Sequence, residues 1–393
     1  MNEKASLNQN ARVLTNGRRL LAYVMDILTA FVLSLFVFLL VDSIGSSTTG
    51  MKNSSAEINT IKENLFSLVN DSKLDEEDDT GSLTGSAAIS KRFIISSTLA
   101  SLKRNNVSDI SNSTYEGYTE ITPETDNTYY YFVTFKEEQK SNYQDSDPDK
   151  DNYGLNYYRD LLIKNTNDSY YETSDYPYLT LETATSLDNY LRDDNYSVGK
   201  TIYDSLLAGY EELIKIGTNE YVTYYVPYLT VYKTYINQTN WIYKVKHIEC
   251  LVSYLFAQVL VYLVAPLILK DGKTVTYKSM RIAVCTKNGM IPKISNYLIH
   301  LLCVCIENLV IIPLTFFSFY GTEAFGVLDV ALIPGLSLIV LGVSSLIILL
   351  LSYIFCFVNK DTSQSISEFF SNLVLKDPRE FVIERNMNDE RQR

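Results

Sequence analysis

The sequence predicts an all-α membrane protein: four transmembrane helices carrying a mainly helical α+β extracytoplasmic domain. Three observations point there. Four segments are apolar over the thickness of a bilayer. Lys and Arg gather in the short segments of one side. The one long polar stretch, 45–247, is acidic and holds none of the chain's cysteines.

The elements follow in order. An N-terminal tail, 1–19, carries Lys4, Arg12, Arg18 and Arg19. The run LLAYVMDILTAFVLSLFVFLLV at 20–41 rises roughly 33 Å as a helix, enough to cross the hydrocarbon core, and sets the first transmembrane helix at 20–44. It is too long for a signal-peptide core and lacks a small-residue cleavage pattern, so it reads as a retained anchor. The second span is expected at 248–269, the third at 294–319 and the fourth, without a charged residue, at 333–358. The connection 270–293 holds six Lys or Arg against Asp271 alone. The external turn 320–332 holds Glu323 and Asp329 and no basic residue. Basic loops stay inside, so the tails 1–19 and 359–393 and the loop 270–293 are placed in the cytoplasm and 45–247 outside.

Charge separates the same regions. The stretch 45–247 has a net charge of −13 and the remainder +1, which together make the −12 of the chain. That balance argues against nucleic acid as a partner and describes a solvated surface. The cysteines, Cys250, Cys285, Cys303, Cys305 and Cys356, leave the external stretch without a disulfide framework. Abundant Asn, Tyr, Ile and Lys beside a single Trp point to an AT-rich bacterial genome, hence to a bacterial plasma membrane.

Within the external stretch, Ile58, Ile61, Leu65, Leu68 and Val69 fall at helical spacing and extend the first helix outward. The acidic DSKLDEEDDTGSLTGS at 71–86 reads as a loop, 87–104 and 199–216 as amphipathic helices, and 219–247 as a helix into the second span, interrupted near Pro227. TYYYFVTFK at 128–136, aromatic and β-branched, reads as the best strand. QDSDPDKDNYG at 144–154 alternates aspartates as calcium loops do. Counted from Asp147, however, Asn152 and Tyr158 stand where an EF-hand needs Gly and Glu, so the reading is an acidic turn without metal. No catalytic Ser/His/Asp pattern occurs, and both histidines sit at or inside the membrane, so no enzyme and no cofactor are expected.

The chemistry concentrates in the membrane. Asp26 lies about 9 Å into the first span, His300 lies at similar depth in the third, and Glu307 is two turns further along the same face. Arg19 stands seven residues before Asp26, below it on one face. A carboxylate at this depth costs on the order of 3 kcal/mol, so it usually has a purpose. Asp26, His300 and Glu307 are expected to line a polar path between the first and third helices, able to take and release protons. The blander alternative is that Arg19, Asp26 and His300 only glue helices together.

These residues resemble the RDD family of bacterial multipass membrane proteins. The likeness rests on Arg19-Leu-Leu-Ala-Tyr-Val-Met-Asp26, on the glycine-led basic loop GKTVTYKSMRIAV at 272–284 with a closing turn at Asn288-Gly289, and on QSISEFFSNLVL at 364–375. Thr276, Tyr277 and Ser367-Glu368 depart from the usual residues. The resemblance covers 20–44 and 248–375 and makes the external domain a large insertion between the first two helices. It implies transport of ions or other solutes and carries over Arg19, Asp26 and Glu368 as functional residues. The expectation is therefore a transporter of protons or monovalent cations, lipid-embedded and homo-oligomeric. In the alternative, a scaffold or sensor binds a peptide, sugar or envelope protein through its external domain.

Overall fold

A computed structural model describes residues 12–76, 83–269, 273–324, 328, 337–358 and 363–377. The tail before Arg12, the middle of the acidic loop at 77–82, the start of the basic loop, most of the turn before the last span and the chain after Asp377 lie outside the described residues. The chain is mostly helical and divides into two compact units, Ser55–Gln238 and the remainder.

The remainder is the membrane unit. Three of its helices are long and apolar enough to cross a bilayer, and a bent pair makes a fourth span if counted as one, so the chain has the build of a multipass membrane protein. The first helix, Asn16–Ser47, buries Arg19, Ala22, Asp26, Ala30, Ser34 and Phe38 along one stripe. Leu21, Leu28, Phe36 and Leu40 stay exposed on the other faces, as lipid-facing residues do. Near its far end Lys246 pairs with Asp42 and, at 3.2 Å, with Glu249. Gly45 admits that Glu249 carboxylate, because a Cβ there would lie 1.8 Å from Oε1.

The second span belongs to a continuous helical stretch, Val226–Ile268, with a π-helical turn at Leu260–Val264. Pro227 falls in its first turn, where a missing N–H is harmless, so the expected interruption is a helix start after Tyr225. The third span is broken. Ile294–Glu307 and Ile311–Tyr320 meet at 51°. Pro313 lies just beyond the break, and its ring would clash with the carbonyl four residues back, at Leu309. Ser345 of the last helix, Leu338–Val358, mends the exposed backbone. Its hydroxyl accepts from the Val310 N–H at 3.1 Å and donates to the Glu307 carbonyl at 2.6 Å. Gly342 lets that helix approach, since a Cβ would come 2.7 Å from the Pro313 ring.

The basic loop and the C-terminal segment fold together. Strand β1, Ala283–Thr286, pairs antiparallel with β2, Leu373–Lys376, and the Leu14 N–H adds a bond to the Leu375 carbonyl at 3.1 Å. A tight turn with Gly289 at φ 74 follows β1, with the Thr286 N–H bonded to the Met290 carbonyl. The partner of β1 is thus the C-terminal segment and not a local hairpin. Leu14, Ala22, Tyr277, Ile282, Val284, Leu373 and Leu375 form a small core over the start of the first helix.

The Ser55–Gln238 unit has its own core, rich in tyrosine, built on Ser86–Arg104, Leu181–Arg192 and Ser197–Tyr224. The strand expected at 128–136 is helical: Asn127–Tyr129 runs through a π-helical segment, Tyr130–Phe135, into Lys136–Gln139. Asp126 decides this. Its carboxylate caps the Thr128 and Tyr129 N–H groups at 3.1 and 3.0 Å, and Tyr131, Phe132 and Phe135 then meet the core at helical spacing. Composition alone cannot separate a strand from a helix buried on most sides. Among the described residues this unit holds isolated bridges and no sheet, so the β part of the expected α+β domain is absent there.

Candidate functional site

Six of the membrane unit's segments converge on one polar cluster. The first helix contributes Arg19, Tyr23 and Asp26. Arg19 is buried, and its Nη1 donates to Glu368 Oε2 at 3.2 Å. Glu368 is held twice over, because it also closes the capping box of Ile366–Phe370. Its Oε2 accepts the Ser365 N–H at 2.9 Å, and Ser365 Oγ accepts the Glu368 N–H at 3.2 Å. The acid that starts a short helix is thus also the partner of the membrane arginine.

Glu307, 1% exposed, ends the first half of the broken helix. Tyr23 donates to its Oε2 at 2.8 Å. Ser352 and the Ser367 N–H donate to its Oε1 at 2.9 and 3.2 Å. Three donors serve a carboxyl group that has no cationic partner within bonding distance among the described residues. Asp26, equally buried, accepts from the Thr274 hydroxyl at 3.0 Å through Oδ2, while Oδ1 has no hydrogen-bond partner among the described residues. Thr274 in turn caps Val275–Ser279. His300 lies on the buried face of its helix, edge-on to the Tyr262 ring with centroids 5.8 Å apart, and its Nδ1 has no partner among the described residues. Asn308, at the helix break, donates to Gln258 at 3.3 Å.

The five residues expected from the sequence therefore share one neighbourhood, but they are wired differently from the expectation. The first and third helices are joined through Tyr23 and Glu307, not through Asp26 and His300, between which no hydrogen bond is formed. Asp26 turns instead to the basic loop. Sequence reading missed Tyr23, Thr274, Ser352 and Ser367. One signal was present for Ser352: it follows Ser345 by seven residues on a helix without a charged residue, the same spacing as Arg19 to Asp26 and His300 to Glu307.

The arrangement has a charge imbalance. Three buried carboxylates, Asp26, Glu307 and Glu368, face one buried guanidinium, Arg19. An excess of negative charge in a water-poor site is balanced by protons or by bound cations. No group of three or more His, Cys, Asp or Glu able to hold a metal ion occurs among the described residues.

Fold and cluster together define a mostly helical multipass membrane protein with a buried polar site built around an arginine–glutamate pair. Compared with protein-family models, with curated proteins and with solved structures, the chain matches none.

Proposed function

We propose that the chain is an RDD-like carrier of the bacterial plasma membrane that exchanges protons for monovalent cations through its buried carboxylates. In this reading the bent pair counts as one span, giving four, with both termini and the basic loop cytoplasmic and the Ser55–Gln238 unit outside. The observation that carries it is the imbalance of three buried carboxylates over one arginine. Asp26 and Glu307 are the groups that load and unload. His300 is a proton partner, and the Arg19–Glu368 pair sets the charge at the mouth. Four helices are few to enclose a pathway alone, so the working form is a homo-oligomer.

The test is proton flux in proteoliposomes under sodium or potassium gradients, with wild type beside Asp26→Asn and Glu307→Gln. Cation-driven flux in the wild type and its loss in both variants is the expected result. A well-folded wild type without flux overturns the reading.

A second reading rests on a different observation. The Ser55–Gln238 unit has a groove of about 630 Å³ lined by Val69, Leu74, Ile214, Tyr221, Val222 and Tyr228, with Asp75, Glu211 and Glu212 at its sides. That size suits a ligand. If flux is absent, a scaffold or sensor that binds a peptide, sugar or envelope protein through this unit takes precedence.

A further inference from the structure

Two small cavities flank Glu368 and Tyr277, and both residues line both of them. One, of about 20 Å³, also touches Arg19, Tyr23, Ser352 and Cys356. The other, of about 10 Å³, also touches Tyr262, Thr274 and His300. Each volume holds about one water and nothing larger. Their walls are largely apolar, but several of the polar groups set in them are short of partners. Arg19 Nε and Nη2 and His300 Nδ1 are buried without a hydrogen-bond partner among the described residues. Orphan donors and acceptors beside a space of this size are satisfied by internal water.

The cavities also connect what the direct bonds leave apart. From the larger one, Tyr23 and Ser352 lead to Glu307 at 2.8 and 2.9 Å. From the smaller one, Thr274 leads to Asp26 at 3.0 Å. Between them stands Glu368. The Arg19 and Ser365 bonds both end on its Oε2, and neither uses Oε1.

We propose that each cavity binds one internal water and that Glu368 relays protons between the two, joining the Asp26 side of the site to the Glu307 side. This rests on the transport reading above. A protonated water on the His300 side gives its proton to Glu368 Oε1, and one O–H bond breaks as another forms. Glu368 then gives a proton to the water on the Arg19 side and is again a carboxylate facing Arg19. No other reactant is consumed. A hydrated cation does not take this route, because each cavity holds about one water.

The experiment is X-ray hydroxyl-radical labelling of the full chain in detergent, chased with heavy-oxygen water, together with flux in proteoliposomes. Radicals made from bound water label the side chains that touch it. Tyr277 and Tyr23 should be labelled well above Tyr158, which is fully buried in the other unit. The heavy isotope should enter their products slowly. Cys356→Leu fills the larger cavity and should remove the Tyr23 label. Glu368→Gln preserves the capping box, since Gln serves there as Glu does. It should keep the waters and the fold but lose proton flux, whereas Glu368→Asp should keep part of it.

Tyr277 and Tyr23 labelled no more than Tyr158 would mean dry cavities and overturn the proposal, whether or not the protein carries protons. Full flux in a well-folded Glu368→Gln would overturn the relay while leaving the transport reading intact. Labelled waters in a wild type without flux would overturn the transport reading and the relay, and leave the two water sites standing.

Discussion

A buried lysine organises the acidic turn that invites a calcium reading. Lys136, 1% exposed, donates to the carbonyls of Asp149 and Asn152 at 2.8 and 2.9 Å and pairs with Glu220. The turn closes on an ammonium from its own chain, and two backbone oxygens do for Lys136 what they would do for a metal ion. Burial pushes the Glu220 carboxyl up to about 7; Lys136 opposes the shift, and Asp147 and Asp149 add to it. A carboxyl raised in the folded state binds its proton more tightly there than in the unfolded chain. Its stabilising contribution is therefore full below its ordinary 4.5 and is lost as the pH rises toward about 7. The window is worth on the order of 2–3 kcal/mol. Thermal unfolding of the full chain followed by tyrosine circular dichroism should show the midpoint of this unit falling as the pH rises through that window. Glu220→Gln should flatten the slope. An unchanged slope in Glu220→Gln would assign the effect to other groups. Asp126 follows another solution: with no cation bonded to it among the described residues, its carboxylate takes the hydroxyls of Tyr158, Tyr176 and Tyr210 at 2.8, 2.7 and 2.6 Å. Three phenols and two backbone N–H groups do the work of a counter-charge.

The break in the third span is the element on which the site depends. An unbroken helix would engage the Glu307 carbonyl within itself, and Ser345 would have nothing to mend. Ser345→Ala removes one acceptor and one donor at once, leaving the Val310 N–H and the Glu307 carbonyl without that partner inside the membrane. The expected cost is about 1–3 kcal/mol. It should appear as a lowered thermal midpoint in detergent, with Ser345→Thr restoring part of it. A midpoint equal to wild type would mean that water or a shifted backbone replaces the serine. The break also shows what sequence could and could not tell. Pro313 is the residue type that disturbs a helix, and the disturbance falls before it, at 308–310. The face shared by Arg19 and Asp26 was legible because helix geometry leaves no alternative at a spacing of seven. Of the hydroxyls that serve Glu307, Ser352 left only its spacing of seven from Ser345, and Tyr23, a lone tyrosine on its helix, carried no periodic signal. Asp126, two residues before the misread strand, was the available clue, an acidic cap where a strand has no use for one.

At the scale of the molecule, one compact unit, Ser55–Gln238, is a continuous stretch of chain set between the two parts of the other. The ends of the inserted unit meet, since Gln238 Nε2 donates to Glu57 at 3.0 Å. A short linker can therefore take its place. A variant in which a few Gly and Ser residues around one cysteine replace 55–238 should still insert, remain monodisperse and carry flux. Its new cysteine should react with an impermeant reagent on intact cells. Flux lost with the unit would tie function to the insertion, and labelling only after lysis would reverse the orientation.

The anchored ends of the first helix carry a last consequence. Arg19 is fixed by Glu368 at one end, and Asp42 by Lys246 at the other. Between them the helix rises roughly 35 Å with Asp26 as its single charge. Such a helix cannot slide to suit its surroundings. A helix of this length spans a hydrocarbon layer about 30 Å thick with some tilt, and thinner lipids demand more. Acyl-chain length becomes a mechanical input, and hydrophobic mismatch is borne by the two ion pairs that pin the helix.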